Sequence, residues 1–300
     1  MVDLAEFRPK PRRLIFSGGG IRVISFVGAV EQLHKANQLT DIQEYVGVSA
    51  GAFLAFILVL GYNFDDIKNI IRKFDFGNIR SIDDPLQLLL FNQNLGIDNG
   101  DNLVKLLNSL LKHKGFPSDI TLGQLGATTK KHFRFYATDL NSIKSYEFSD
   151  KATPDIKVTV ALRASMALPL YFIPVRDPIT NNILTDGACI ANYPIEHLST
   201  FEIQESIGFT FDDYKNDHQT INGAFNFLYQ IMSCYWVPRN KQLYTKYKAN
   251  TIIVPCSKFP SWNFEATEED KTKLMELGGI AAKNFLKGVS RKQQRRRSVS

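Results

Sequence analysis

The chain has 300 residues, of which 44% are hydrophobic and 22% charged, a composition typical of a globular protein with a sizeable core. No apolar run reaches the ~18 residues of a membrane span, and no basic segment followed by an apolar one marks a signal peptide. Cys189, Cys234 and Cys256 are too widely spaced for a disulfide framework or a zinc site. We therefore expect a cytoplasmic or peripheral membrane protein.

The N-terminal half alternates strands and helices. Strands are predicted over 12–17 and 42–48, and helices follow them over 21–36 and 50–60. This order favours an α/β fold, with a mostly parallel central sheet and helices on both faces.

Further helices are predicted over 63–76 and 101–114. Between them, residues 77–100 combine chain breakers with the apolar segment 86–91. We interpret this stretch as a packed connector, with a mobile flap over a site as the alternative.

The second half of the chain continues the same alternation of elements. Strands are predicted over 132–138, 143–148, 171–175, 183–185, 202–211 and 251–254, and helices over 154–166, 221–236 and 268–285. No internal repeat or long linker interrupts this series, so a single domain over 1–285 is predicted.

The positive charge of +6 is concentrated at the C-terminal end. Residues 286–300 contain six basic residues and no acidic one, so the rest of the chain carries equal numbers of both. We expect a disordered tail here that is attracted to anionic lipid. Nucleic acid is the less favoured partner.

The second strand runs into Gly47-Val48-Ser49-Ala50-Gly51, and an apolar helix leaves it. A serine on a tight strand-to-helix turn needs small neighbours, because a Cβ at Gly47 or Gly51 would clash. The turn places the hydroxyl at the positive end of the following helix, where it can act as a nucleophile. Ser49 is therefore the candidate nucleophile.

Two further motifs offer the base and the oxyanion hole that a serine nucleophile needs. Asp186 follows a short strand and precedes Gly187-Ala188, a tight turn that would expose its carboxylate as the base. The N–H groups of Gly18-Gly19-Gly20, at the start of a helix, suit an oxyanion hole.

Two alternatives use the same residues differently. In an α/β-hydrolase triad, Ser49 and Asp186 would be joined by His197 or His218, although that fold usually has more strands before its nucleophile. A dinucleotide site would need a third glycine where Val23 stands.

Taken together, these motifs resemble those of the patatin-like phospholipase family. Gly18-Gly19-Gly20-Ile21-Arg22, the Ser49 pentapeptide and Asp186-Gly187-Ala188 match its three catalytic motifs in order. Residues 161–172 resemble its Ala-Ser-x-Ala-x-Pro stretch, and residues 191–194 its Asn-x-Pro ending. Val23 departs from the family, which usually has glycine there.

The resemblance implies a three-layer α/β/α fold and a Ser49–Asp186 dyad without histidine. It also implies hydrolysis of phospholipid or other lipid esters, with Ala50 joining the glycines as an oxyanion donor. No residues have metal-ligand spacing, so neither a metal ion nor a cofactor is expected. A lipid transacylase and a non-catalytic lipid-binding protein remain alternatives, and the oligomeric state is left open.

Overall fold

The computed structural model describes residues 10–73, 77, 91–212, 221, 223–261 and 266–297. Residues 86–90, the apolar middle of the predicted connector or flap, lie outside this described part, and so does His218.

The described strands and helices largely follow the predicted order. The strands are β1 (Arg13–Phe16), β2 (Glu44–Val48), β3 (Gly96–Asp98), β4 (His132–Asp139), β5 (Lys144–Ser149), β6 (Leu170–Phe172), β7 (Val175–Arg176), β8 (Ile183–Asp186), β9 (Ser206–Phe211) and β10 (Thr251–Val254). The α-helices are α1 (Ile24–Lys35), α2 (Ala50–Val59), α3 (Phe64–Lys73), α4 (Phe91–Asn94), α5 (Asp101–His113), α6 (Leu122–Thr129), α7 (Val158–Ser165), α8 (Ala188–Ala191), α9 (Thr200–Gln204), α10 (Gly223–Lys246) and α11 (Glu268–Arg297). Short 3₁₀ turns cover Gly20–Val23, Pro194–His197 and Lys248–Asn250.

In the described part of the chain, the central sheet has eight strands in the order β10-β9-β1-β2-β4-β8-β7, with β5 also paired to β4. The strands from β10 to β4 run parallel, whereas β5 and β8 lie antiparallel to β4. A separate parallel pair joins β3 and β6. The mostly parallel sheet predicted from the sequence is confirmed.

Helices cover both faces of this sheet. Side chains alternate along β1, so that Leu14 and Phe16 enter one core and Ile15 enters another. The first core packs α1, α2, α3 and α5 against the sheet, and the second packs α8, α9 and α10. The fold is therefore the expected three-layer α/β/α arrangement.

The register of β4 determines where the functional turns meet. Its first half pairs with β2, up to the pair Tyr136–Val48. Its second half pairs with the antiparallel β8, beginning at the pair Ala137–Asp186. Strands β2 and β8 therefore run toward each other along one edge of β4 and end at adjacent positions, which brings Ser49 beside Asp186.

Several predicted bounds are wrong. The strand predicted over 202–211 is instead helix α9 followed by β9, because Ser199 and Glu202 form a reciprocal capping box that starts a helix. The predicted strand 171–175 divides into β6 and β7, and the helix predicted from 154 begins at Val158.

The C-terminal segment also differs from the prediction. Helix α11 continues to Arg297, so residues 286–297 are helical rather than a disordered tail. Phe285 and Leu286 still pack against the core, and no proline interrupts the helix after them. Within the described residues, no helix is both long and apolar enough to cross a membrane.

Candidate active site

Ser49 lies on a strained turn between β2 and α2. Its backbone has φ 56° and ψ −132°, a left-handed conformation that a non-glycine residue rarely adopts and that costs of order 1–3 kcal/mol. A Cβ on Gly47 would lie 2.5 Å from the Gly51 carbonyl oxygen, and a Cβ on Gly51 would lie 2.5 Å from that of Ser17. Residues 47 and 51 must therefore be glycine, because backbone carbonyl groups lie too close to leave room for a side chain.

The Ser49 hydroxyl donates a hydrogen bond to Asp186 Oδ2 over 2.7 Å. The other carboxylate oxygen, Oδ1, accepts from the Ala188 N–H over 2.8 Å. Gly187 allows this turn because a Cβ there would collide with the Tyr136 carbonyl oxygen. Asp186 thus contacts the candidate nucleophile directly, and Gly187 and Ala188 shape its turn.

Ser165, at the end of α7, links the two functional turns. Its hydroxyl accepts a hydrogen bond from the Ser49 N–H over 3.1 Å and donates one to the Tyr136 carbonyl over 2.7 Å. Two residues further on, the Ala167 carbonyl accepts from the Asp186 N–H over 2.8 Å. The segment from Ser165 to Ala167 therefore holds the Ser49 and Asp186 backbones in one geometry.

Asp186 is almost completely removed from solvent, with 2% of its surface exposed. Burial disfavours the carboxylate and raises the pKa of Asp186 to about 7, against the opposing hydrogen bonds from Ser49 and the Ala188 N–H. A carboxyl group that titrates near neutral pH is suited to accept and return a proton.

The glycine turn lies against Ser49, since a Cβ on Gly18 would be 3.2 Å from the Ser49 Cβ. The Gly18 N–H, however, donates to the Asn192 carbonyl over 3.0 Å. This pairing overturns the prediction of Gly18 as an oxyanion donor. Within the described residues, no carbonyl accepts from the N–H groups of Gly19, Gly20 or Ala50, so these remain candidate donors.

Gly20 and Ala50 also line an apolar pocket that is partly open to solvent. The rest of its wall comes from aliphatic and aromatic side chains of α1, α2 and α3, together with Ile21 and Leu106. Val23, which departs from the family pattern, is part of this wall. The pocket therefore joins the candidate oxyanion donors to a surface that suits a hydrocarbon chain.

Histidine takes no part in the contact between serine and aspartate. The direct distance of 2.7 Å leaves no space for an imidazole ring, which excludes a triad bridged by His197 or His218. The His197 ring instead packs against the Tyr136 ring in a tilted arrangement, with centroids 4.4 Å apart, and burial lowers the pKa of His197. No group of three or more metal-ligating side chains occurs in the described chain.

Comparison with known proteins assigns the chain to a family. The profile of the family described as "Patatin-like phospholipase" matches residues 14–199, which include the Ser49, Asp186 and glycine motifs. The chain belongs to the patatin-like phospholipase family. The probable lipid hydrolase 463L of Invertebrate iridescent virus 6 is 27% identical to it over 195 residues, covering 64% of this chain and 65% of the viral protein. YqhO of Bacillus subtilis is 27% identical over 292 residues, covering 91% and 97% of the two chains.

Solved structures share the fold of this patatin-like phospholipase. VipD from Legionella pneumophila superposes with a TM-score of 0.61 at 18% identity, over 94% of this chain and 68% of VipD. ExoU of Pseudomonas aeruginosa, in its complex with SpcU, gives 0.53 at 17% identity over 93% and 53% of the chains. Membership of this family makes the protein a lipid hydrolase.

Sequence reasoning did not find the parts played by Ser165 and Asn192. Both residues lie in stretches that resemble family motifs. Neither motif shows that the Ser165 hydroxyl contacts the Ser49 N–H or that the Asn192 carbonyl contacts the Gly18 N–H. The two contacts depend on the register of β4 and on the path of the chain after Asp186, which only the folded structure shows.

Proposed function

We propose that this protein is a calcium-independent phospholipase A-type acyl hydrolase in which Ser49 is the nucleophile and Asp186 is the base. The hydrogen bond of 2.7 Å from the Ser49 hydroxyl to the Asp186 carboxylate is the observation that carries the proposal. It supplies the proton acceptor that an otherwise inert hydroxyl needs.

In the first step, the Ser49 oxygen attacks the ester carbonyl carbon while its proton passes to Asp186. The carbonyl electron pair moves onto the oxygen, and the N–H groups of Gly19, Gly20 and Ala50 bind this oxyanion at the start of α2. When the intermediate collapses, the bond to the alcohol oxygen breaks and Asp186 returns the proton to that leaving group.

In the second step, water releases the fatty acid. The water oxygen attacks the acyl carbon while Asp186 accepts a proton from the water, and the same N–H groups bind the second oxyanion. Collapse of that intermediate breaks the bond to Ser49, which regains its proton from Asp186. No metal ion takes part in either step, so a chelator leaves turnover unchanged.

The apolar pocket supports a fatty-acyl substrate. Because Gly20 and Ala50 are common to the pocket wall and the candidate oxyanion hole, an acyl chain in the pocket has its carbonyl end close to both donors. Each buried methylene contributes ~0.8 kcal/mol to binding. The enzyme therefore favours long-chain over short-chain esters.

Turnover of phospholipid vesicles tests this function. The Ser49→Ala and Asp186→Asn variants should each lose most of the release of fatty acid, while a buried serine changed elsewhere, as in Ser206→Ala, should keep it. Wild-type rates in either site variant would contradict the assignment. Transfer of the acyl group to an added alcohol, in place of release to water, would identify a transacylase.

The basic end of α11 is proposed to add reversible attraction to anionic lipid. Because Phe285 and Leu286 pack against the core, the chain must be shortened after Gly288 to test this without unfolding the helix. The shortened enzyme should bind anionic vesicles more weakly and hydrolyse a water-soluble ester at the full rate. Unchanged vesicle binding would contradict this part of the proposal.

A further inference from the structure

Two hairpin turns lie at the end of the sheet that carries Ser49. One joins β4 to β5 through residues 140–143, and the other joins β7 to β8 through residues 177–182. Strand β4 pairs with β2 up to Val48 and continues to Asp139, so at a rise of ~3.3 Å per residue both turns lie about 10 Å beyond the end of β2. We call these two turns the hairpin tips.

The hairpin tips are joined to each other by hydrogen bonds. The Leu140 N–H donates to the Ile183 carbonyl over 2.9 Å, and the Ile183 N–H donates to Asn141 Oδ1 over 2.7 Å. Asn182 Nδ2 also donates to Asp139 Oδ2 over 2.8 Å. The tips are therefore fixed relative to β8, the strand that leads into the candidate active site.

The hairpin tips expose large apolar side chains. Leu140, Ile179 and Ile143 are 50%, 69% and 80% exposed, and three such side chains on two joined turns indicate an interaction site. Ile143 also has φ 55°, in the left-handed region that disfavours a β-branched residue. Because its side chain lies outside the core, neither packing nor turn geometry accounts for isoleucine at this position. A contact with a partner does account for it.

The acidic and basic side chains of this region are arranged differently. Asp139 and Asp177 are buried, and their carboxylate oxygens accept hydrogen bonds from N–H groups within the tips. Lys144 and Arg176, which adjoin the tips, are exposed. Within the described residues, no carboxylate pairs with either base, and Arg176 contacts the Asn181 carbonyl. The exposed surface of the tips is therefore apolar with positive charge beside it.

This surface has the chemistry of a segment that enters a bilayer interface, where apolar side chains reach the acyl boundary and basic ones lie near the lipid phosphates. Its position fits the same partner, because a lipid hydrolase must bring its nucleophile to the lipid surface. Gly20 and Ala50, which line the acyl pocket, follow the carboxyl ends of β1 and β2, so the pocket reaches the same end of the sheet.

We propose that the hairpin tips are the surface by which the protein docks on a phospholipid bilayer. Leu140, Ile143 and Ile179 enter the interface, and Lys144 and Arg176 lie at the level of the phosphates. The choice of a bilayer over a protein partner rests on the proposed function, because the substrate of a phospholipase lies in that bilayer. Docking through the tips turns the Ser49 end of the sheet toward the lipid.

A polarity-sensitive fluorophore at a tip reports directly on this contact. Cys234→Ser removes an exposed cysteine, whereas Cys256 is buried and burial raises the pKa of Cys189, which slows its reaction. In this background, a label on Ile143→Cys should shift its emission to shorter wavelength when phosphatidylcholine vesicles containing phosphatidylserine are added. A label on Phe201→Cys should show no shift, because Phe201 is 60% exposed on α9, at the opposite end of the sheet. Equal spectra with and without vesicles at Ile143→Cys would overturn the proposal.

Vesicle sedimentation measures what individual side chains contribute. Ile143→Gln and Ile179→Gln should each weaken binding about tenfold, because each removes one large apolar side chain from the interface. Lys144→Gln should weaken it severalfold. Two matched controls at the opposite end of the sheet, Phe201→Gln and Lys151→Gln, should leave binding unchanged. Binding of the double isoleucine variant equal to that of Phe201→Gln would overturn the proposal.

A third substitution separates lipid contact from a structural role of Ile143. Asparagine tolerates the left-handed region, so Ile143→Asn should keep or raise the Tm while it weakens vesicle binding as much as Ile143→Gln does. A lower Tm together with wild-type binding would show that the isoleucine serves the fold, and would overturn the proposal.

These measurements also separate the docking surface from the proposed function. Vesicle binding requires no turnover, so Ser49→Ala should bind like the wild type, and the tip variants should hydrolyse a water-soluble ester at the wild-type rate. Loss of hydrolysis in all forms with normal tip-dependent binding would refute only the function. A self-association that the tip variants abolish, with no change in vesicle binding, would identify the tips as a contact between copies and refute the docking proposal.

Discussion

Replacement of Ser165 by alanine tests how the nucleophile is held. The substitution removes the acceptor of the Ser49 N–H and the donor to the Tyr136 carbonyl, and both groups are buried. Each buried group left without a partner costs roughly 1–3 kcal/mol of stability. The strained Ser49 turn also loses one of the contacts that keep it in its left-handed conformation.

We expect two effects from Ser165→Ala. The free energy of unfolding should fall, and kcat should fall by up to about 100-fold, because a small displacement of the reacting oxygen has an effect of this size. KM should change little, since Ser165 is fully buried and does not line the acyl pocket. Ser165→Thr, which keeps a hydroxyl group, should recover part of kcat.

Thermal unfolding and the rate of labelling by a fluorophosphonate separate these effects. The control is Ser206→Ala, because Ser206 is also fully buried and its hydroxyl bonds to the Glu202 carbonyl, at the opposite end of the strands from Ser49. The control should lose stability but keep the labelling rate. If Ser165→Ala also labels at the wild-type rate, Ser165 has only a structural role and the reasoning is refuted.

Three further predictions follow from burial and from the pocket. Burial raises the pKa of Asp186 to about 7, and the base must be ionised to accept a proton. The value of kcat/KM for a non-ionising ester should therefore increase with pH and level off above about pH 7. A flat profile between about pH 5 and pH 8 would contradict this prediction. The same raised pKa means that the unfolded chain binds fewer protons at Asp186, so wild-type stability falls as pH rises from about 4 to about 7. Asp186→Asn removes this loss, so its free energy of unfolding, measured with denaturant, should rise by roughly 3 kcal/mol relative to that of the wild type between about pH 5 and pH 8. A difference between the two unfolding free energies that does not change with pH would show that the Asp186 carboxyl is not buried. Leu106→Trp should narrow the acyl pocket and reduce kcat/KM for long-chain esters severalfold while butanoate esters react as before, and equal losses for all chain lengths would place the acyl chain elsewhere.

The sequence was sufficient for the parts of the site that local geometry determines. Gly47 and Gly51 follow from the steric demands of a tight turn around Ser49, and the turn at Asp186 follows from Gly187. The alternation of strands and helices likewise predicted a mostly parallel sheet with helices on both faces. These features depend on neighbours in the chain, which a sequence displays directly.

The parts that the sequence did not provide depend on tertiary contacts. The Gly18 N–H donates to the carbonyl of Asn192, which lies 174 positions away in the chain. The Gly18-Gly19-Gly20 triplet does not reveal this distant partner, so the sequence predicted Gly18 as an oxyanion donor. The contact between Ser49 and Asp186 requires β2 and β8 to end at adjacent positions on β4, and register is set by the whole sheet. The acyl pocket likewise needs α1, α2 and α3 to pack together.

Two errors had signals in the sequence. Ser199 and Glu202 have the spacing of a capping box, which predicts helix α9 in place of the first residues of the strand predicted over 202–211. For residues 286–297, the high positive charge predicts disorder, although most of the segment is Lys, Arg and Gln, which favour a helix.

The most direct test of the account is the site and rate of covalent modification by a fluorophosphonate. Intact-mass and peptide mass spectrometry should find one adduct, on Ser49, with none in Ser49→Ala. In Asp186→Asn the adduct should form at least about 100-fold more slowly, because the base has been removed. An adduct on another residue, or modification of Ser49 at the wild-type rate in Asp186→Asn, would contradict the assignment of Ser49 as the nucleophile that Asp186 activates.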